Sequence, residues 1–372
     1  MIAIPMLCAM LSQPRSRAGG DSGAAPPRVT AQLGDLKVLL HDGQHGLRYF
    51  PDTALSILSS KPEWRVLMVA GRSTYLMTGK GMDSLAPAAE VLTPGGPGSY
   101  DNGYAGIGGA YADEKTGAVL ALYHAEDQED MRTLPGGIPG FYASIALAVS
   151  TDGGGSFAKQ GPVITADQAK DPTGPPDQGA GEVALTPDAT GEYLYAYYCD
   201  HSRPDNRGAQ ICLARGRIAD GGRPGTWRKY YQGTFSQPGL GGRDTPVMSA
   251  QTLGADATFP HVVWLPEAGV YLMTFCINVY REFATGRPEK SGMYLAASRD
   301  GIHWGEPTLL FSAYVVTHPD YEVAWHPTLV LSGKQGDGFP GWLYYSYSER
   351  FGHVEPERPH YLVGRPITVE VH

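Results

Sequence analysis

No stretch of this chain is apolar for the roughly 18 residues that a membrane-crossing helix requires. Clusters of lysine and arginine are missing as well. Basic residues number 29 against 38 acidic ones, which leaves a net charge of −9 and an isoelectric point near 5.6. Binding along a phosphate backbone needs the opposite balance, so nucleic acid is excluded as a ligand class. The four cysteines (Cys8, Cys199, Cys212 and Cys276) show no CxxC or Cys/His spacing, which argues against a structural zinc site. Cys199 and Cys212 flank the turn-rich DHSRPDNRGAQI. They read either as partners across a hairpin or as two free, half-buried thiols. No P-loop, dinucleotide fingerprint or nucleophile elbow is present, because GIGG and GGG sit in strands or turns without the helix those motifs need.

Gly (49) and Pro (30) are abundant, and 22 tyrosines accompany them; the usual share of Gly plus Pro is roughly 12%. Apolar residues at 42% and charged residues at 18% mark a globular chain. This composition suits short strands joined by tight turns, not a helical bundle. The opening MIAIPMLCAMLSQPRSRAGG has a short apolar stretch with no basic region before it. It reads as a disordered tail or the remnant of an export signal over residues 1–33, with a secreted or periplasmic location as the expectation and the cytoplasm as the alternative.

Internal repetition decides the architecture. ALAVSTDGGGSF (146–157) and YLAASRDGIHW (294–304) both read as an apolar strand, Ser-x-Asp-Gly and an aromatic residue. The strands leading into these phrases align with YLMTG, ICLAR and YLVGR. A Tyr-rich strand precedes each (RVLMVAG, AVLALYHAE, YLYAYYCDH, VYLMTFCIN, WLYYSYSER), and a more apolar strand precedes that. A fourth strand (AAEVLTP, FAKQGPVI, WRKYYQGT, PTLLFS) completes the unit. Five such units predict an all-β chain: a five-bladed β-propeller of four-stranded antiparallel blades around a central funnel, one domain over residues 34–372. The isolated DLKVLL (35–40) is expected to close the ring on the last blade. Asp152 and Asp300 are expected to accept backbone N–H bonds in peripheral turns.

The first-strand positions that align are Asp52, Ile107, Glu182, His261 and His326, at spacings of 55, 75, 79 and 65 residues. Four ionisable groups where packing alone predicts apolar side chains point to chemistry at the funnel. On these residues the chain resembles the five-bladed propeller glycosidases: arabinanases, xylosidases, invertases and anhydrogalactosidases. The resemblance implies a base or nucleophile at Asp52 in FPDTAL and a second carboxylate at Glu182 in GAGEVAL. The fourth blade of that group normally carries a Glu acid; this chain offers His261 in TFPHVVW, as anhydrogalactosidases use a histidine. The resemblance also implies an axial ion, Ca2+ or another, or a water near His326 in AWHPTL, with no cofactor required.

Hydrolysis of a glycosidic bond needs a protonated group on the leaving oxygen and a carboxylate for water or the sugar carbon. Asp52, with Glu182 or His261 as the acid, supplies both. Asp101, His124, Glu126, Asp200, His201, Arg281, Glu322 and Trp325 stand near the same strand ends and are the candidate substrate-binding residues for a carbohydrate. Two other classes compete. A non-catalytic carbohydrate-binding propeller needs aromatic platforms without an acid and base. A sialidase needs an arginine triad that the inner positions lack.

Overall fold

The computed structural model describes residues 25–113, 116–133, 137, 139–201, 209–315, 321–349 and 359–372. Residues 1–24 of the expected tail lie outside the described residues. Apolar and aromatic runs between Gly, Pro and Asp turns form strands throughout, and the α-helix among the described residues is the six-residue α1 (Tyr280–Thr285). Among the described residues no helix is long and apolar enough to cross a membrane.

In chain order, β1 (Val29–Leu33) and β2 (Lys37–Leu40) come first. The first group is β3 (Ser56–Ser59), β4 (Trp64–Ala70), β5 (Ser73–Gly79) and β6 (Ala86–Leu92). The second is β7 (Tyr104–Ala112), β8 (Val119–Asp127), β9 (Phe141–Ser150) and β10 (Ala158–Ile164). The third is β11 (Asp177–Pro187), β12 (Tyr193–Asp200), β13 (Gln210–Arg217), β14 (Arg228–Tyr231) and β15 (Thr234–Pro238). The fourth is β16 (Ala255–Leu265), β17 (Val270–Val279), β18 (Gly292–Ser298) and β19 (Thr308–Ser312). The fifth is β20 (Val323–Leu331), β21 (Phe339–Ser348) and β22 (Tyr361–Val371).

Within each group, consecutive strands pair antiparallel. The first and fourth groups are four-stranded sheets, as the repeat predicts. Three details differ from expectation. The WRKYYQGT segment turns at Gln232–Gly233, where both residues have positive φ, and becomes the hairpin β14–β15 instead of one strand. The starts of β9 and β11 overrun their neighbours and pair in parallel, Phe141 opposite Asp177 and Ala143 opposite Gly179. The second and third groups therefore share one nine-stranded sheet. Lastly, Val29–Leu33 form a strand inside the segment expected to be a tail: β1 pairs with Ile367–Val371 of β22, while β2 pairs with Leu362–Gly364. Val29 and Leu40 are fully buried there, which is why the boundary falls earlier.

Packing follows the period-2 alternation of strands. Val66 and Met68 of β4 face Leu40, Phe50, Tyr344 and Leu362, while Leu67 between them faces Ile107, Tyr123 and Ala146. Three more apolar seams join the second group to the third, the third to the fourth and the fourth to the fifth. Cys199 and Cys212 point into different seams from adjacent strands, so both are buried and no disulfide joins them. The two Ser-x-Asp-Gly turns sit between the third and fourth strands of their groups. Asp152 accepts from the Ser156 N–H, and Asp300 from the Ile302 and His303 N–H groups.

Removing residues 1–42 strips β1 and β2 from β22 and exposes the sites of Val29 and Leu40. At about 1.5–3 kcal/mol for each buried aliphatic side chain, the melting temperature should fall by on the order of 10 °C. An unchanged melting curve in differential scanning calorimetry contradicts this assignment.

Candidate active site

The site is set by an irregularity shared by the first strands. β7, β11, β16 and β20 each carry a bulge opposite their second strand, between Ile107 and Gly109, Gly181 and Ala184, Thr258 and His261, and Trp325 and Thr328. In three of them a non-glycine residue takes the left-handed conformation: Glu182 (φ 53°), Phe259 (φ 55°) and His326 (φ 54°). Such residues cost about 1–3 kcal/mol each and mark places where a side chain is deliberately re-aimed. Bonds between groups set the register. The Leu55 N–H donates to Thr328 Oγ1 at 2.7 Å, and the Leu329 N–H donates to His261 Nδ1 at 3.2 Å. His261 therefore matches Thr328, two residues past the bulge, and the residue matching His326 is Phe259. The equivalent positions are Asp52, Ile107, Glu182, Phe259 and His326.

A cavity of about 300 Å³ opens over these positions, lined by Asp52, Tyr104, His124, Glu126, Glu182, Phe259, Val315, Trp325 and His326. Its centre is an alternation of rings and carboxyls. His326 Nε2 lies 3.5 Å from Asp52 Oδ1, and its Nδ1 lies 3.9 Å from Glu182 Oε2. His124 Nδ1 accepts the Glu182 N–H at 3.0 Å and lies 3.8 Å from Glu182 Oε1. His124 Nε2 bonds Glu126 Oε1 at 3.0 Å. Tyr104 donates its hydroxyl to the Asp52 carbonyl at 2.7 Å, fixing the backbone that carries that carboxylate.

The two carboxyls beside His326 stand in different environments. The Asp52 side chain is 35% exposed and that of Glu182 18%. Burial raises the pKa of Glu182, against the pull of His124 and His326, with Asp52 and Glu126 adding to the rise. Burial disfavours charge on His124, yet the Glu126 bond and the Glu182 and Asp52 carboxylates outweigh it and lift its pKa to about 8. On the far wall the Phe259 ring packs on His326 at 4.3 Å between centroids, with Trp325 edge-on to the same imidazole.

Of the sequence-derived candidates, Asp52, His124, Glu126, Glu182, Trp325 and His326 are brought together here. His261 is not: burial drives its pKa down to about 4, and its ring serves as a backbone acceptor. Aligning His261 with His326 overlooks the bulge. Asp101 is buried in an ion pair with Lys159 and accepts from the Tyr123 hydroxyl. Asp200, His201, Arg281 and Glu322 do not line the cavity either. His201 is held neutral, with its pKa lowered to about 4 by burial and by His124. Arg281 and Glu322 are exposed, and the Glu322 carbonyl accepts from the Tyr314 N–H. Tyr104, Phe259 and Val315 are the residues that sequence reasoning missed. Tyr104 follows Asp101 in the DNGY turn, at the first position of an inner strand, and that position was its one available signal. No group of three or more His, Cys, Asp or Glu among the described residues is arranged to hold a metal ion. Both His326 nitrogens face carboxylate oxygens, at 3.5 and 3.9 Å.

No protein-family model and no curated protein matches the sequence. The fold matches solved structures. A family 117 glycoside hydrolase from the marine bacterium Zobellia galactanivorans superposes with a TM-score of 0.55 at 9% identity, covering 91% of this chain and 90% of that one. An α-L-arabinofuranosidase from Lactobacillus brevis gives 0.53 at 11% identity, covering 87% and 94%. An N-acetylgalactosamine deacetylase from F. plautii, in complex with blood group B trisaccharide, gives 0.54 at 12% identity, covering 90% and 95%. At identities this low, the likeness is one of fold.

The His261 assignment generates a pH prediction. A histidine whose folded pKa is near 4, below its unfolded value of about 6.5, is less protonated folded than unfolded between those values. It then removes stability as pH falls through that window, by at most about 1.4 kcal/mol per pH unit. Urea denaturation at stepped pH should show His261→Asn losing less stability than the unsubstituted chain between about pH 6.5 and 4. Parallel losses would mean that the ring is not buried neutral.

Proposed function

We propose that the chain is a glycoside hydrolase on a closed five-bladed propeller, acting in the funnel where the first strands converge. The closed ring is supported by the five apolar seams, of which the one holding Leu40, Phe50 and Tyr344 joins the last group to the first, and by β1 and β2 completing the fifth group. The observation that carries the function is the pair of carboxyls flanking His326. One is buried with a raised pKa and the other is in contact with solvent. Two carboxyls driven into different environments are what an acid and a base on one bond require.

In this reading Glu182 keeps its proton and gives it to the leaving oxygen. Asp52, anionic, activates water or attacks the sugar carbon, according to the separation of the two groups in the complex. His326 lies between them, 3.5 Å from Asp52 and 3.9 Å from Glu182. Phe259 and Trp325 offer apolar faces for a sugar ring, with the carboxylates and His124 opposite. The cavity volume, about 300 Å³, is at the small end for ligand sites and suits one terminal sugar unit. Fold alone does not choose the bond cleaved, since a deacetylase shares it; the paired carboxyls favour glycoside hydrolysis.

The test is a panel of neutral aryl glycosides, arabinofuranosides and xylosides included. Asp52→Asn and Glu182→Gln should each lower kcat by about 10²–10⁴ with circular dichroism unchanged, and Glu182→Gln should also remove the fall in kcat on the alkaline side. Sugar binding without turnover in the unsubstituted chain would replace this reading with a carbohydrate-binding propeller. Full activity in both variants would remove these residues from the chemistry.

A further inference from the structure

The repeated groups supply a comparison within one molecule. β8, β12, β17 and β21 place His124, Cys199, Cys276 and Ser346 at matching points, opposite Gly106, Gly181, Thr258 and Trp325. Each of these side chains reaches across to the next group. Cys199 takes a backbone bond from Phe259, and Cys276 Sγ donates to the Ala324 carbonyl at 3.9 Å. Ser346 Oγ donates to the Phe50 carbonyl at 3.5 Å. His124 Nδ1 accepts the Glu182 N–H at 3.0 Å. The architecture therefore asks this position only for a small side chain that can hydrogen-bond, and three of the four are Cys or Ser.

An imidazole at 124 exceeds that need, and the surroundings are cut to fit it. A Cβ on residue 181 would overlap His124 Nδ1, so Gly181 is the space into which the ring fits. Glu126 and Gln128 follow at two-residue steps, which keeps all three side chains on one face. Gln128 Nε2 donates to Glu126 Oε2 at 2.7 Å, and Glu126 Oε1 holds His124 Nε2. A Cβ on residue 103 would overlap the Gln128 side chain in turn. The neutral ring thus carries its proton on Nε2 and presents a bare Nδ1 to the amide of a residue in the left-handed conformation.

We propose that His124 is a positioning residue for Glu182: its neutral ring holds the Glu182 N–H and with it the turn that aims the carboxyl into the pocket, and its charged ring releases that amide. A proton added at Nδ1 removes the lone pair that the amide uses. It also creates an N–H donor 3.8 Å from Glu182 Oε1, to which the ring then turns. The titratable groups facing the ring are Tyr104 from β7, Glu126 from its own strand, Asp177 and Glu182 from β11, His201 beyond β12, and Asp52 ahead of β3. The inference deepens the reading of Glu182 as the acid and rests on it.

The test uses the full chain labelled with nitrogen-15 and followed by NMR at about pH 6 and about pH 9.5, on either side of an imidazole titration. At the higher pH the His124 ring should show the Nε2–H tautomer, with a coupling across the hydrogen bond from the Glu182 amide to Nδ1. At the lower pH that coupling should vanish and the amide should exchange faster. Glu126→Gln should move the change downward by a pH unit or more, as a lost carboxylate partner requires. His124→Ser, which installs the side chain found at 346, should fold with the Glu182 amide indifferent to pH. On any glycoside that the unsubstituted chain hydrolyses, the same variant should lower kcat at least tenfold at pH values above about 8, where the His124 ring is neutral, with little change in KM. A neutral ring protonated at Nδ1, a Glu182 amide indifferent to pH in the unsubstituted chain, or undiminished kcat in His124→Ser overturns the proposal. If no glycoside is hydrolysed at all, the glycosidase reading fails, while the ring and amide signals still decide whether His124 governs Glu182.

Discussion

An amide turned out of its ladder by a bulge must find an acceptor elsewhere. In this protein the acceptor for the Glu182 amide comes from the neighbouring strand group, and most of the site depends on that requirement. Glu182, Phe259 and His326 can face inward because their backbones leave the regular strand. Leu55 and Leu329, which follow Asp52 and His326 in the chain, are tied to Thr328 and His261 across the gaps between groups. The bonds that pin one group to the next are thus the bonds that aim the pocket's side chains. Stability of the assembly and geometry of the site are one problem, solved by the same residues.

Electrostatics in the cavity follows from how the charges are interleaved. Asp52, Glu126 and Glu182 would repel one another strongly in so small a space. His326 stands between Asp52 and Glu182, and His124 between Glu182 and Glu126. Each imidazole lowers the cost of the carboxylates on either side, so the three acids need not respond alike. Burial then selects Glu182 as the one that keeps its proton more readily.

Much of the architecture was legible because the strand order is repeated and the repeat carries its own punctuation. Asp152 and Asp300 hold the turns expected of them, and DLKVLL joins the last strand as its apolar pattern implied. Legibility ended where one extra residue changes register. Nothing in TFPHVVW marks Phe259 as the residue that leaves the strand, so the histidine two positions later drew the assignment. Tyr104 looked like any first-strand tyrosine until its hydroxyl met the Asp52 carbonyl. The parallel pairing of β9 with β11 depends on two strand starts overrunning together, which no local pattern encodes.

β22 takes β21 on one side and both β1 and β2 on the other, and the Arg28 N–H donates to the carbonyl of His372 while the His372 N–H returns the bond to Arg28. The contact between Thr30 and His372 spans 342 residues. Among the described strands, β1 and β2 precede all the others and their partner follows them. Both of them take β22 as their strand partner among the described residues. Closure over so long a separation is entropically costly, and an edge left unpaired before it forms is open to another chain.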